Sequence, residues 1–204
     1  MDGRKARNGD VVHAGAAVAV DLLLNGERRH AEVPTSTMLI SLLRNEFGLT
    51  GVRGSCERGV CGACTVLLDG CPAASCSVFA FDADGAEIET IEGQQDGDEL
   101  SPVQQAFAEC GGFQCGYCTP GMIMLATALL RIERKPDREE IRRWIGSNIC
   151  RCTGYEMIME SVERAAEALS PDDRADAGPD DADPDEAGPD DVEGNRAAPG
   201  EGSA

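Results

Sequence analysis

Ten of the 204 residues are cysteines, and eight of them fall into two spacing patterns. The first is Cys56-x4-Cys61-x2-Cys64 followed by Cys76, the plant-type [2Fe–2S] spacing. A loop carrying three ligands must curl around a cluster and aim its backbone N–H groups at sulfur. Gly59 and Gly62 can take the positive φ that such a close approach needs. Zinc sites generally bring their cysteines as C-x2-C pairs, so this loop reads as iron–sulfur rather than a zinc knot. Cys71 follows directly on an Asp69-Gly70 turn, at the end of a hairpin away from Cys64. Cys76 comes where a returning strand has travelled back, and is the expected fourth ligand.

The second pattern is Cys115-x2-Cys118 with Cys150-x-Cys152. Thr119-Pro120 reads as an N-cap followed by proline at the first helical position. Thr153 with Glu156 has capping-box spacing. Four thiolates would then gather where two helices present unpaired N–H groups and positive dipole ends, a setting for an anionic metal cluster. Cys110 is a rival, because Cys110-x4-Cys115-x2-Cys118 also has plant-type spacing. It ends a predicted helix, where the negative dipole end disfavours a thiolate, but spacing alone leaves it open.

The elements that must position these residues change character midway. Residues 1–15 read as a flexible leader. Ala16 to Leu24 is apolar and β-favouring, Asn25-Gly26 is a strong hairpin signal, and Glu27 to Val33 reads as the return strand. A short helix over Met38 to Arg44 follows, and strand, strand, helix is how a β-grasp domain begins. Thr65 to Leu68 and Glu87 to Ile91 read as further strands, and the polar run Glu92 to Asp98 as a flexible boundary. After it, Pro102–Cys110, Gly121–Glu133, Arg138–Asn148 and Tyr155–Leu169 favour helices, with Asp137 and Glu140 at capping-box spacing. The fold class expected is α+β: a plant-type ferredoxin-like β-grasp domain over 16–92, then a four-helix bundle over 93–170.

Charge is unevenly spread. Residues 171–204 hold nine aspartates and three glutamates against two arginines, so −10 of the net −19 lies there and −9 remains for the rest. That stretch repeats Ala-Gly-Pro-Asp-Asp at 177 and 187, lacks apolar surface, and is expected to be a disordered solubilising tail. No basic patch suggests nucleic acid. No apolar run approaches the roughly 18 residues of a membrane span, and no secretory signal is visible. Clustered cysteines in a reducing, cytoplasmic setting point to metal or redox chemistry. Met122, Met124, Met157, Met159 and Trp144 read as core packing, His13 and His30 as surface residues. No nucleophilic triad, phosphate loop or nucleotide fingerprint is present.

Three stretches together carry a resemblance: the loop from Gly51 to Cys76, Gln114-Cys115-Gly116-Tyr117-Cys118-Thr119-Pro120-Gly121, and Asn148-Ile149-Cys150-Arg151-Cys152-Thr153-Gly154-Tyr155. The combination resembles the small iron–sulfur subunit of the molybdenum hydroxylases, the group of the xanthine dehydrogenase, aldehyde oxidoreductase and aerobic carbon monoxide dehydrogenase families. The likeness runs from about Val18 to Leu169. It implies one [2Fe–2S] cluster on Cys56, Cys61, Cys64 and Cys76, and another on Cys115, Cys118, Cys150 and Cys152. It further implies that Gln114 bonds a molybdopterin on a large partner subunit, that Cys152 approaches the same pterin, and that a medium subunit carries FAD. The whole would be a dimer of heterotrimers. Cys71 and Cys110 depart from the pattern as spare thiols. On this reading the chain is an electron-transfer subunit with no substrate chemistry of its own. A stand-alone two-cluster ferredoxin and a zinc-stabilised interaction module are the competing readings.

Overall fold

The structure, a computed structural model, describes residues 15–95 and 97–169. The expectations for residues 1–14, His13 among them, and for the acidic stretch 171–204 lie outside the described residues.

The first half is a mixed five-stranded sheet. Strands β1 (Ala17–Leu24) and β2 (Glu27–Pro34) form the hairpin that Asn25-Gly26 signals. Both turn residues take positive φ, +49° and +80°, matching the right-handed twist of the strands. Strands β3 (Thr65–Leu68) and β4 (Cys71–Ala74) pair antiparallel around Asp69-Gly70, and β5 (Glu87–Glu89) lies centrally, giving the order β2-β1-β5-β3-β4. β1 alternates, burying Val20, Leu22 and Leu24, while edge strand β2 buries only Val33 and shows charge outward. The expected helix is short: one turn, α1 (Leu39–Ser41), widens into a π-helical stretch over Leu42–Glu46. Its Leu39, Leu42 and Leu43 are fully buried against Val20, Val66 and Ile88 of the sheet.

The second half consists of α2 (Pro102–Glu109), α3 (Thr119–Ile132), α4 (Arg138–Ile145) and α5 (Glu156–Ala168) around Phe107, Met122, Leu129, Ile141, Ile158 and Val162. Helix α3 is buried on every face from Gly121 to Leu130, as a helix apolar all round must be. One side serves the helical core. The other presents Met124 and Ala128 to Leu67 of β3, with Trp144 and Ile91 packed alongside. Three of the four helical methionines are buried, and His30 is exposed, 2.8 Å from Asp21.

The start of the run expected to be a free boundary is tied down. Glu92 accepts from the Gly51 N–H at 2.7 Å and from the Thr90 hydroxyl at 2.6 Å, and Gln94 donates to Glu89. Capping is also redistributed. Asp137 accepts from the Glu140 N–H at 2.8 Å as its spacing suggests, and Ser101 forms a full reciprocal capping box with Gln104. Thr119 and Thr153 do not cap. Cys118 holds the N-cap of α3, leaving Thr119 Oγ1 buried without a partner. Tyr155 holds the N-cap of α5, because the Thr153 hydroxyl turns instead toward Tyr155 N–H and Cys150.

Candidate metal centres

The loop between the π-helical stretch and β3 wraps its own sulfurs with backbone donors. Cys56 Sγ accepts from the N–H groups of Arg58 and Cys61, each at 3.4 Å, and Cys76 Sγ from Gly59 N–H at 3.2 Å. Gly59 and Gly62 take φ of +71° and +68°, as the close approach requires. Donors from Arg58, Cys61 and Val60 hold the Cys56 thiol down to about 6, so it favours the thiolate that ligates metal. Cys64 is buried, which pushes its thiol up to about 11. Ser75 ties Cys76 beside it, its N–H and hydroxyl reaching the Cys64 carbonyl at 3.3 and 2.8 Å. Cys71 is exposed on β4, opposite Leu68.

The second set converges from three segments. Cys115 and Cys152 lie with sulfurs 3.6 Å apart on the exposed side. Cys118 and Cys150 face each other inside. Burial and then the Cys150 neighbour push Cys118 up to about 12. Burial also works against the Cys150 thiolate, but the Thr153 hydroxyl and the N–H groups of Thr153 and Cys152 bring that thiol below its ordinary range. Cys115 is lowered by the Tyr117 N–H and Cys152, while Cys152 is raised by Cys115. Cys110 stands apart as the C-cap of α2. Burial and then Glu160 raise its thiol, and its other charged neighbours are Arg164, Glu109 and Glu167, none of them cysteine.

The eight thiols therefore fall into four pairs: Cys56 with Cys61, Cys64 with Cys76, Cys115 with Cys152, and Cys118 with Cys150. Among the described residues no three His, Cys, Asp or Glu side chains converge on a single-ion site. A tetrahedral zinc needs four donors around one point. Two irons sharing four cysteines need two at each iron, and this donor set with its inward N–H groups fits that demand.

Between the two sets runs a polar seam that sequence reasoning did not find. The Cys61 carbonyl accepts from the Ile149 N–H at 2.8 Å, and Ile149 directly precedes Cys150. Asn148, 4 % exposed, donates to the Gly121 carbonyl at 3.0 Å and to Thr65 Oγ1 at 3.3 Å, while Thr65 donates to the Gly62 carbonyl at 2.7 Å. A Cβ on Gly62 would lie 1.5 Å from Asn148 Oδ1, so glycine is needed there for space as well as for φ. Tyr117, between the second set's first two cysteines, donates to the Gly54 carbonyl and sits under the Arg53 guanidinium, 5.8 Å from its ring centre. The trace of this seam in the sequence is a polar Asn148 at the end of the amphipathic helix expected over Arg138–Asn148, which in the structure stops at Ile145. Gln114 is exposed beside Cys115; Phe113 and Tyr117 of the same segment and Ile149, which precedes Cys150, are 44–50 % exposed.

Comparison with known proteins agrees with this layout. A domain family described as a 2Fe-2S iron-sulfur cluster binding domain matches residues 22–90, and one described as a [2Fe-2S] binding domain matches residues 90–163. The nicotine 6-hydroxylase small subunit of Paenarthrobacter nicotinovorans is 46% identical over 145 residues, covering 71% of this chain and 87% of its own. The xanthine dehydrogenase iron-sulfur-binding subunit of Escherichia coli O157:H7 is 46% identical over 147 residues, covering 71% and 92%. Among solved structures, quinoline 2-oxidoreductase from Pseudomonas putida 86 superposes with a TM-score of 0.73 at 40% identity, covering 74% of this chain and 95% of the matched one.

Proposed function

The chain belongs to the small [2Fe–2S] subunits of the molybdenum hydroxylases, and from that membership we propose which residues carry its function and in what order. It is the iron–sulfur, electron-transfer subunit of an oxidoreductase complex, with two [2Fe–2S] clusters that accept and release single electrons. Cys56, Cys61, Cys64 and Cys76 hold the first cluster, on a β-grasp domain. Cys115, Cys118, Cys150 and Cys152 hold the second, in a four-helix bundle. The pairing of thiols and the N–H groups turned toward them support this set, and the exposure of Cys71 on β4 and the carboxylates around Cys110 argue for leaving both out.

Electrons enter at the exposed end of the second set. Gln114 there bonds the pterin of a large molybdenum subunit, Cys152 faces the same side, and the apolar rim of Phe113 and Ile149 seats the partner. They leave from the first set toward a medium flavin subunit or an external acceptor, within a dimer of heterotrimers in the cytoplasm. No described helix is long and apolar enough to cross a membrane.

One observation carries the coupling of the two clusters: the Cys61 carbonyl receives the Ile149 N–H at 2.8 Å. The two ligand sets are thus joined through main chain interrupted by a single hydrogen bond. Asn148, locked to Gly121 and Thr65, holds that bond in register. The test is composition and company. The chain from its native host should contain about four irons and four acid-labile sulfides, show two distinct EPR signals on reduction, and co-purify with a molybdenum-containing chain. Stoichiometric zinc, or a chain that always runs as a lone monomer, overturns the proposal.

A further inference from the structure

Cys150 is gripped from two sides by the short loop that follows it. Its N–H donates to the Tyr155 hydroxyl at 2.9 Å, and that hydroxyl donates onward to the Asn148 carbonyl at 3.1 Å. Its Sγ lies 3.1 Å from Thr153 Oγ1. Gly154 and Tyr155 hold consecutive positive φ values, +67° and +71°, which fold Thr153 back over the sulfur. A bulky tyrosine in that region is uncommon, and such conformations persist where the surroundings over-determine them, often at functional sites.

The proton inventory fixes the direction of the contact. Thr153 Oγ1 already accepts from the Tyr155 N–H at 3.1 Å, so its own proton is free to point elsewhere. A ligating thiolate has no proton to give. The hydroxyl is therefore the donor.

We propose that Thr153 is a positioning residue that donates a hydrogen bond to the Cys150 thiolate and so raises the reduction potential of the second cluster, with Tyr155 aiming the loop. This rests on the reading that Cys150 is a ligand. The reason lies in the asymmetry of the site. Cys115 and Cys152 are exposed and water can solvate their sulfurs, whereas Cys150 is 8 % exposed. An added electron increases the negative charge on the sulfurs. A donor to an ionised acceptor in a low-dielectric site favours that more charged state, and hydrogen bonding to sulfur is a recognised lever on cluster potential. Thr153 supplies at the buried end what water supplies at the exposed one. No bond is made or broken and no proton moves.

The test uses the full-length chain with its clusters, titrated redox-wise and read by EPR. Thr153→Val keeps the shape and removes the O–H. The equilibrium constant for reducing the second cluster should fall about tenfold, which is about 59 mV for a one-electron couple, while the first cluster stays unmoved. Thr153→Ser should restore the wild-type midpoint. A valine variant with both clusters and an unshifted second midpoint overturns the proposal, as does a serine variant that behaves like valine. If valine sheds the second cluster, the wild-type chain decides. After seconds in D2O its reduced second cluster should show by ENDOR, beyond the couplings of water at the exposed Cys115 and Cys152, one further strongly coupled deuteron with a fixed orientation, since a hydroxyl exchanges at once and buried hydrogen-bonded amides do not; the absence of that further coupling overturns the proposal. Cys150→Ala separates the two levels. Retention of both clusters there sinks the ligand reading, whereas its loss alongside an unshifted Thr153→Val midpoint sinks only the role of Thr153.

Discussion

Replacing Gly121 by alanine sets two magnitudes against each other. Gly121 is the third residue of α3, and alanine is worth up to about 1 kcal/mol over glycine in a helix. Against that, a Cβ there would lie 2.3 Å from the Gly62 carbonyl oxygen and 3.3 Å from the Ala63 carbonyl. Real contacts of this kind stay beyond 3.0 Å, so α3 and the first ligand loop must part by at least 0.7 Å. Gly62 cannot yield, because Asn148 fills the space at its own Cα and Thr65 holds its carbonyl at 2.7 Å. Overpacking of this sort costs about 1–3 kcal/mol. Pulling Gly121 from Asn148 also leaves a buried amide short of a partner, about 1–3 kcal/mol more. The net expectation is destabilisation by about 3 kcal/mol, which at a urea slope of about 2 kcal/mol/M moves the unfolding midpoint down by about 1.5 M. Far-UV circular dichroism against urea on the cluster-loaded chain reads it. A midpoint equal to or above wild type would refute the argument, since helix propensity would then have won over the contact between the two halves.

Two further outcomes follow from the same geometry. Arg131 of α3 grips Glu89 of β5 with two hydrogen bonds, 2.5 and 2.8 Å, and with its help Glu89 titrates below its ordinary value of 4.5. The carboxylate's contribution is therefore complete above about pH 4.5 and is lost as pH falls through the lowered folded value. The gap in unfolding midpoint between wild type and Glu89→Gln should shrink steadily below pH 4.5 and at high salt; a gap that widens on acidification contradicts this. For the ligand sets, Cys110→Ser should keep both EPR signals while Cys118→Ser abolishes the second alone. Loss of the second signal in Cys110→Ser would put Cys110 back among the ligands.

Much of the architecture was legible because its signals are local. Asn25-Gly26 and Asp69-Gly70 announced hairpins since few other residues accept positive φ in succession. Helices α2 to α5 were readable to within two residues at each end from apolar periodicity, except the α4 C-terminus, where the helix stops three residues early at Ile145 and Gly146 to Asn148 form a turn. The caps were read less well. Thr119-Pro120 and Thr153-x2-Glu156 have capping spacing, yet Cys118 and Tyr155 hold those positions because the sulfur sites claim the loop geometry. The polar run at Glu92 looked free only because its partners, Gly51 and Thr90, carry no mark in sequence that they bind it.

The thiols opened the sequence reading, and they divide the two kinds of information. Spacing by itself pointed to two groups of cysteines with iron–sulfur chemistry, because ligand loops are short and their chemistry is written in consecutive residues. It could not separate Cys110 from its neighbours. Only the tertiary structure placed Cys110 among the carboxylates of α5 and brought Cys152 to 3.6 Å from Cys115. Only it laid the Ile149 N–H on the Cys61 carbonyl, across 88 residues of chain, with Asn148 buried beside them. A hydrogen bond between main-chain groups leaves no residue type behind to be read, so the link between the two ligand sets exists in the fold and nowhere in the composition of the chain.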